Sequence, residues 1–256
     1  MRDLPHIMNF RDLGGMATSD GYIIKPRKLY RCAALGATDA NERALLAGYY
    51  NVGTVIDLRT GLERNSDPDP DLPGVTHLEV PLMPVSALSI TLEDYNWQEL
   101  LRGTWSPDLY DACALYRKMV SPAMAPRWHQ IFQVLLEAGD QAVLWHCTNG
   151  KDRTGVVAAV VLLALGIPEE TVLADYMDSN SGLADYRAKI LQDARDRGVE
   201  PSMTHRMGPL LEARYEHIAA AIEAIDKNFG DFAGFLEDVC GVGLAEEDTL
   251  RSIFLQ

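Results

Sequence analysis

The sequence predicts an α/β fold in which a central mixed sheet is flanked by helices and the C-terminal half is helical. Three observations predict it. Residues 52–58 and 141–145 are short apolar runs of strand character, each next to a stretch of helical spacing. A polar loop at 146–154 joins the second run to an apolar helix, and the chain from residue 169 onward is almost entirely helical in pattern. Strands early and helices late favour a sheet covered by helices.

The N-terminal half alternates helix and strand signals. Residues 38–50 have helical spacing, and the β-branched run at 52–58 predicts a buried strand. Pro and Asp are concentrated at 65–71, which predicts a turn-rich loop before a second strand at 76–80.

The middle of the chain predicts a strand, a loop and a helix in direct succession. Residues 126–138 have helical spacing and end at Gly139, after which 141–145 are suited to a central strand. The loop at 146–154 then leads into a helix at about 155–165, which Gly166 and Pro168 end.

Composition limits the class of protein. With 256 residues and 47% hydrophobic content, the chain is expected to form one domain spanning 1–256. No apolar run reaches the roughly 18 residues that span a bilayer, and the N-terminus lacks the apolar segment of a signal peptide, so a cytoplasmic protein is expected. The net charge of −14 argues against nucleic acid as a partner. The oligomeric state is not indicated.

The four cysteines, Cys32, Cys113, Cys147 and Cys240, lack the paired short spacings of a zinc site or a disulfide framework. A reducing compartment is therefore expected. Cys32, Cys113 and Cys240 are predicted to be small buried side chains.

Cys147 is different because of the loop that holds it. A loop between a strand and a helix directs backbone N–H groups and the positive end of the helix dipole into one small bowl, which fits a phosphate dianion. These groups also stabilise a thiolate, so Cys147 is expected to be an anionic nucleophile. Arg153 can return to the bowl and offer two parallel N–H donors to phosphoryl oxygens. The residues expected to bind the substrate are Thr148, Asn149, Gly150, Lys151 and Thr154, the last also donating to the sulfur.

The pattern His146-Cys147-x5-Arg153-Thr154 is the signature of protein tyrosine and dual-specificity phosphatases. The chain more closely resembles the bacterial tyrosine and lipid phosphatases of the mycobacterial protein tyrosine phosphatase B type. The motifs that carry this resemblance are Asn9-Phe10-Arg11-Asp12, Leu29-Tyr30-Arg31-Cys32, Asp57-Leu58-Arg59, the loop Cys-x-x-Gly-Lys-Asp-Arg-Thr-Gly from Cys147, and Ala174-Asp175-Tyr176-x-x-Ser179-Asn180.

The resemblance implies a phosphotyrosine phosphatase-like fold and a cysteine-dependent phosphomonoesterase that works through a phosphocysteine intermediate. It implies substrates among phosphotyrosine proteins, sometimes phosphoserine or phosphothreonine, and phosphoinositides. Lys151 is hypothesised to widen acceptance toward inositol phosphates; a solvated charge on the loop rim is the alternative. No metal or other cofactor is expected, because the thiolate and arginine supply nucleophile and charge. Some family members are secreted without a signal peptide, so that route stays open.

The general acid departs from the family pattern. After the strand at 76–80, where relatives carry an acidic loop, no carboxylate occurs before Glu93 and Asp94. Asp152 is favoured because it lies in the phosphate loop itself, and Asp57 and Asp94 are alternatives. Asp152 could instead serve only to hold the loop through N–H bonds.

Several other residues are expected to support the loop. His146 is predicted to brace the loop. Asn9, Arg11 and Asp12 either pack against the loop, or Asn9 and Asp12 cap turns and Arg11 forms a surface ion pair. Asp175 and Asn180 orient the loop or substrate, or else cap helices. The helices between residues 183 and 215 either cover the site as a lid or simply pack against it.

Two other function classes remain open from the residues alone. A phosphate-binding module with weak or lost turnover would keep the bowl, although such proteins usually lack the cysteine or the arginine. A sulfurtransferase also uses a loop-borne cysteine, but the Arg-Thr ending fits phosphoryl chemistry better.

Overall fold

The computed structural model describes residues 4–83 and 111–256, and in that part of the chain five strands form one sheet. In chain order they are β1 Arg11–Asp12, β2 Leu29–Cys32, β3 Val52–Asp57, β4 Thr76–Glu79 and β5 Ala142–His146. Their order across the sheet is β1-β2-β5-β3-β4. Strands β2, β5, β3 and β4 are parallel and β1 is antiparallel at the edge, which makes the sheet mixed.

Helices flank this sheet and make up nearly all of the chain after it. They are α1 Ala40–Ala47, α2 Gly61–Ser66, α3 Ala112–Met119, α4 Ala125–Leu136, α5 Asp152–Ala164, α6 Glu169–Gly182, α7 Ala184–Asp196, α8 Pro201–Met207, α9 Tyr215–Phe229, α10 Phe232–Phe235 and α11 Leu244–Phe254. The α/β architecture with a helical C-terminal half is therefore confirmed.

Hydrophobic core residues cover both faces of the sheet, and the central strand β5 is therefore buried along its whole length. The larger core contains Trp145 of β5 and nearly all of α5, and the smaller one packs Leu144 against the β2 residue Tyr30. Parallel strands covered on both faces are typically continuous apolar runs, as here. This burial makes β5 a rigid base for whatever follows it.

The predicted elements occur in the predicted order, with shifted ends. Helix α1 is shorter than the predicted 38–50 because Asp39 caps its N-terminus and Gly48 its C-terminus. Helix α5 begins at Asp152, about three residues earlier than predicted, because the polar loop closes after Lys151. Strand β1 has only two residues and gives no periodic signal.

All four cysteines are free thiols. Cys32 and Cys240 are buried, as predicted, whereas Cys113 is only half-buried and its thiol lies 3.4 Å from the carbonyl oxygen of Glu216. The prediction for Cys113 is wrong because it lies near the start of α3, where the helix surface remains partly open. In the described part of the chain, no helix has the length and apolar character needed to cross a membrane.

Candidate active site

The candidate site lies at the carboxyl edge of the sheet, where the loop Cys147 to Lys151 joins central strand β5 to helix α5. Cys147 is 2% exposed at the base of this loop. The predicted loop of 146–154 was too long, since His146 ends the strand while Arg153 and Thr154 belong to the first helical turn. First-turn N–H groups have no partner within a helix, so the helix itself extends the cradle.

Arg153 is brought to the site by α5 and held by Glu63 of α2. Nη1 donates to Oε2 of Glu63 over 2.7 Å and Nη2 donates to Oε1 over 2.5 Å. This pairing leaves Nε and one Nη2 hydrogen without a recorded partner among the described residues. Those two donors lie on the same edge of the guanidinium and can bind two phosphoryl oxygens in parallel.

Glu63 is the main functional residue that sequence reasoning missed. Its carboxylate also accepts hydrogen bonds from the Thr148 hydroxyl (2.8 Å) and from the backbone N–H and hydroxyl of Thr60 (2.7 Å each). Burial by itself would raise the pKa of Glu63, but the hydrogen bonds and charge of Arg153 outweigh it and lower the pKa to about 2. Thr60-x-x-Glu63 is a capping box, a signal that predicts a helix start but not a partner 90 residues away.

The charge balance around Arg153 favours its cationic form. Burial would lower its pKa, but the hydrogen bonds and charge of Glu63, together with the electrostatic interaction with Cys147, raise that pKa above its usual range. The guanidinium is therefore a fixed positive charge within the electrostatic influence of Cys147.

Gly150 forms the tight curve of the loop, with φ of +65°. A Cβ at this position would lie 2.6 Å from the backbone nitrogen of Ala33 on the neighbouring chain segment. The Gly150 carbonyl accepts hydrogen bonds from Nδ2 of Asn9 (2.8 Å) and Nη2 of Arg31 (3.0 Å). Asn9 thus packs against the loop, the first of its two predicted alternatives.

Two arginines, of which Arg31 is buried and Arg11 partly buried, and the buried Asp175 support this contact. Asp175 accepts from Nε of Arg11 (2.9 Å) and from Nη1 of Arg31 (2.5 Å). Burial would raise the pKa of Asp175, but the charges of Arg31 and Arg11 lower it. Arg11 is therefore not in a surface pair and Asp175 does not cap a helix, so the alternative roles for both residues are wrong. Asp12, by contrast, does cap a turn, accepting from the backbone of Gly14 over 2.9 Å.

His146 lies in a second ion-pair network under the loop. Its Nε2 is 2.8 Å from Oδ2 of Asp69, and Nη2 of Arg59 is 2.8 Å from Oδ1 of the same carboxylate. Asp57 contacts Arg59 through both carboxylate oxygens. Asp57, Asp69 and His146 are close enough to ligate an ion, but the Arg59 guanidinium occupies the space beside them. These contacts place His146 beside Asp69 at the end of β5 and pair Asp57 with Arg59, and the bracing role of His146 stays a prediction.

Lys151 and Asp152 follow the loop and point toward the helices above it. Lys151 is 4% exposed, and its Nζ donates to the carbonyl oxygens of Leu210 (2.8 Å) and Glu212 (3.1 Å). A solvated charge on the loop rim is therefore the wrong alternative for Lys151. Asp152 has a side chain 33% exposed and accepts a 2.6 Å hydrogen bond from the Tyr116 hydroxyl.

The remaining predicted residues are placed as follows. Within the described residues, the Thr154 hydroxyl and Oδ1 of Asn149 are buried and have no hydrogen-bond partner. The Thr154 hydroxyl is therefore free to donate to a sulfur or a phosphoryl oxygen, whereas Oδ1 of Asn149 is an acceptor and can bind neither. Asp94, the other proposed acid, lies outside the described residues.

The helices predicted as a lid have a small core of their own, formed by Ala194, Val199, Met207 and Leu211. A cleft of about 460 Å³ lies between α7 and α8. Two attachments hold this segment to the site: Lys151 to the carbonyls of Leu210 and Glu212, and Asn180 to both backbone polar groups of Ala213 (2.8 and 2.9 Å). Asn180 thus positions the end of the segment, and does not cap a helix.

The whole chain is similar in sequence to known proteins. The model of a tyrosine phosphatase family matches residues 2–256. The triple specificity protein phosphatase PtpB of Mycobacterium tuberculosis is 30% identical over 100% of this chain and 99% of its own length. A Cupriavidus necator protein, provisionally named a tyrosine-protein phosphatase, is 30% identical over 94% of this chain and 84% of its own.

Among solved structures, P. aeruginosa TpbA matches with a TM-score of 0.31 and 17% identity, covering 81% of this chain and 97% of that one. The family model and the full-length relative both extend across the part of the chain that contains this site. The chain belongs to the tyrosine phosphatase family.

Proposed function

We propose that this single-domain protein is a cysteine-dependent phosphomonoesterase that acts through a phosphocysteine intermediate. The observation that carries the proposal is the pairing of Cys147, at the base of a strand-loop-helix cradle, with an Arg153 whose outer edge Glu63 holds in place. The nucleophile and the charge clamp come from the protein itself, so the reaction needs no resident metal or cofactor.

In the first step the Cys147 thiolate attacks phosphorus and forms an S–P bond while the P–O bond to the leaving group breaks. The electron pair of that bond stays on the leaving oxygen, which takes a proton from the Asp152 carboxylic acid. Arg153 and the loop N–H groups donate to the three equatorial oxygens, where negative charge is spread in the transition state.

In the second step a water molecule attacks phosphorus, the S–P bond breaks and its electron pair returns to sulfur as a thiolate. The ionised Asp152 takes one proton from the water, which regenerates the acid and releases inorganic phosphate. The buried Thr154 hydroxyl, which has no partner among the described residues, donates to the departing sulfur.

The proposed substrates are phosphotyrosine proteins, with phosphoserine, phosphothreonine and phosphoinositides as further classes. The name of PtpB, a triple specificity phosphatase, supports a broad site. Lys151 is the proposed source of that breadth, because it brings a buried cation next to the loop. A reducing, cytoplasmic location fits a nucleophile that must remain a free thiol.

The proposal is tested by hydrolysis of p-nitrophenyl phosphate, a phosphotyrosine peptide and phosphoinositides in EDTA, comparing the wild type with Cys147→Ser. Metal-independent turnover that disappears in the variant is expected, and the substrate ranking chooses between protein and lipid. Binding of phosphopeptide without any turnover would instead identify a phosphate-binding module, and turnover of a thiosulfate donor a sulfurtransferase.

A further inference from the structure

The Asp152 carboxylate is held by a hydroxyl group on α3, which in turn contacts a second hydroxyl on α6. Tyr116 of α3 donates to Oδ1 of Asp152 over 2.6 Å. The Tyr116 hydroxyl also lies 2.7 Å from that of Tyr176 on α6, and both tyrosine side chains are fully buried. Buried hydroxyl groups need hydrogen-bond partners, and here the two tyrosine hydroxyls bind each other.

The donor and acceptor in each of these hydrogen bonds follow from the number of hydroxyl protons available. A phenol has one proton, and Tyr116 gives its proton to Asp152. The bond between the two tyrosines therefore runs from Tyr176 to Tyr116. The chain runs from Tyr176 through Tyr116 and ends on one oxygen of Asp152.

The other carboxylate oxygen, Oδ2, is left for the reaction. Nζ of Lys151 lies 3.6 Å from Oδ1, the same oxygen that Tyr116 binds. No hydrogen bond to Oδ2 is recorded within residues 4–83 and 111–256, and about a third of the side chain remains exposed. The Tyr116 hydrogen bond and the nearby Lys151 charge both act on Oδ1, which restricts the carboxylate and leaves the second oxygen accessible.

We propose that Tyr116 is a positioning residue that orients Asp152 so that Oδ2 faces the leaving-group oxygen. This inference rests on the proposed role of Asp152 as the general acid. Tyr116 itself touches neither the substrate nor the sulfur in this account. It acts by fixing one rotamer of the residue that transfers the proton, and misplacement of a catalytic group by about 1 Å can cost 10²-fold in rate.

The other groups around this hydrogen-bonded chain are few in the described structure. Besides Lys151 and the tyrosines, Arg153 exerts its charge from α5, and the His217 ring of α9 packs against Tyr116 at 5.4 Å. Burial lowers the pKa of His217, which favours its neutral form. Tyr116 is therefore the group that contacts the Asp152 carboxylate from outside the loop.

The test uses esters that differ in their need for an acid. Phenyl phosphate has a poor leaving group that must be protonated, whereas 2,4-dinitrophenolate leaves readily without a proton. For Tyr116→Phe we expect kcat/KM to fall about tenfold on phenyl phosphate, a fraction of the 10²–10⁴ that proton transfer contributes, and less than about threefold on 2,4-dinitrophenyl phosphate. A merely structural role would lower both values equally, and that result would overturn the inference.

A double-mutant cycle provides the second readout. If Tyr116 acts through Asp152, then Tyr116→Phe should change kcat/KM by less than about twofold in an Asp152→Asn background. Losses that multiply fully in the double variant would contradict the proposal.

A matched control is Tyr30→Phe, which removes another fully buried phenol hydroxyl. In the described structure that hydroxyl has no partner, and its ring packs in the smaller core, away from the loop. Its kcat/KM should stay within about twofold of wild type on both esters. If the wild type is inactive or Cys147→Ser is active, the proposed function fails; if both behave as expected and Tyr116→Phe shows no preference between esters, only the positioning role fails.

Discussion

Replacement of Glu63 by glutamine tests whether a single buried carboxylate organises the phosphate-binding cradle. Glu63 is 3% exposed and receives both terminal nitrogens of Arg153, the Thr148 hydroxyl and the capping contacts of Thr60. Glutamine keeps the volume but has one carbonyl oxygen, so one Arg153 donor must face an amide N–H. Removal of one partner of a buried ion pair typically costs about 3–5 kcal/mol of unfolding free energy.

The perturbed ionisation of Glu63 gives an independent estimate. Its pKa falls from 4.5 to about 2 on folding, and a difference of about 2.5 pH units corresponds to about 3 kcal/mol. Because the folded pKa is lowered, this stabilisation is present above pH 4.5 and is lost as the pH falls toward 2. About 2 kcal/mol of it should be gone at pH 3.

The assay is urea denaturation of wild type and Glu63→Gln at pH 7 and pH 3. We expect a stability difference of about 3 kcal/mol at pH 7 that narrows by about 2 kcal/mol at pH 3, because glutamine does not titrate. Turnover of p-nitrophenyl phosphate should fall about 10²-fold, since Arg153 loses its fixed orientation.

Glu42→Gln is the matched control. Glu42 is also a buried capping-box glutamate, at the start of α1, but its partners are Asp39 and His6 and not the phosphate loop. Its replacement should lower stability while leaving turnover within about twofold. Equal losses of turnover in the two glutamine variants would contradict the role of Glu63 in the cradle. A stability difference for Glu63→Gln that does not change with pH would contradict its stabilisation by an ionised carboxylate.

Three further predictions follow from the same contacts. Asp175→Asn should lower the unfolding free energy by about 3–5 kcal/mol, because the buried Arg31 and the partly buried Arg11 would lie beside a neutral partner. Urea denaturation measures this free energy, and a loss below about 1 kcal/mol would contradict the prediction. Gly150→Ala should reduce kcat/KM by at least about 10²-fold, because a Cβ there meets the backbone of Ala33 and the positive φ is strained; activity close to wild type would show that the loop can relax. Lys151→Met should lower activity on phosphoinositides more than on phosphotyrosine, and equal losses would assign Lys151 only to holding residues 210 and 212.

The phosphate loop could be predicted from the sequence more fully than the residues that support it. Cys147, Arg153 and the strand-loop-helix order lie within a few consecutive residues, where spacing determines geometry directly. The start of α5 was misplaced because Asp152 and Arg153 are polar and resemble loop residues, although acidic residues are favoured in a first helical turn. Local pattern thus predicts the elements and the nucleophile but not where the loop ends.

The supporting roles of Glu63 and Arg31 could not be predicted because the partners of these residues are remote in sequence. Glu63 meets Arg153 over a separation of 90 residues, and Arg31 meets Asp175 over 144. Each appears in the sequence as an ordinary strand or helix residue, and only the sheet order β2-β5-β3 brings the ends of three strands to one edge. The role of Tyr116 is harder still to predict from the sequence. Its position in a helix predicts only core packing, and its hydroxyl contacts Asp152 only because α3 packs against α5 in the fold.

The pairing of these charges also explains how an acidic chain can bind a phosphate dianion. The net charge is −14, and the arginines around the loop are each matched by a buried carboxylate: Arg153 by Glu63, Arg59 by Asp57, and Arg11 with Arg31 by Asp175. The attraction for phosphate therefore comes from a few oriented donors. These are the loop and first-turn N–H groups and the two Arg153 hydrogens that have no partner among residues 4–83 and 111–256. Oriented donors in a buried site act over short distances and at full strength, so the site needs no net positive charge on the protein surface.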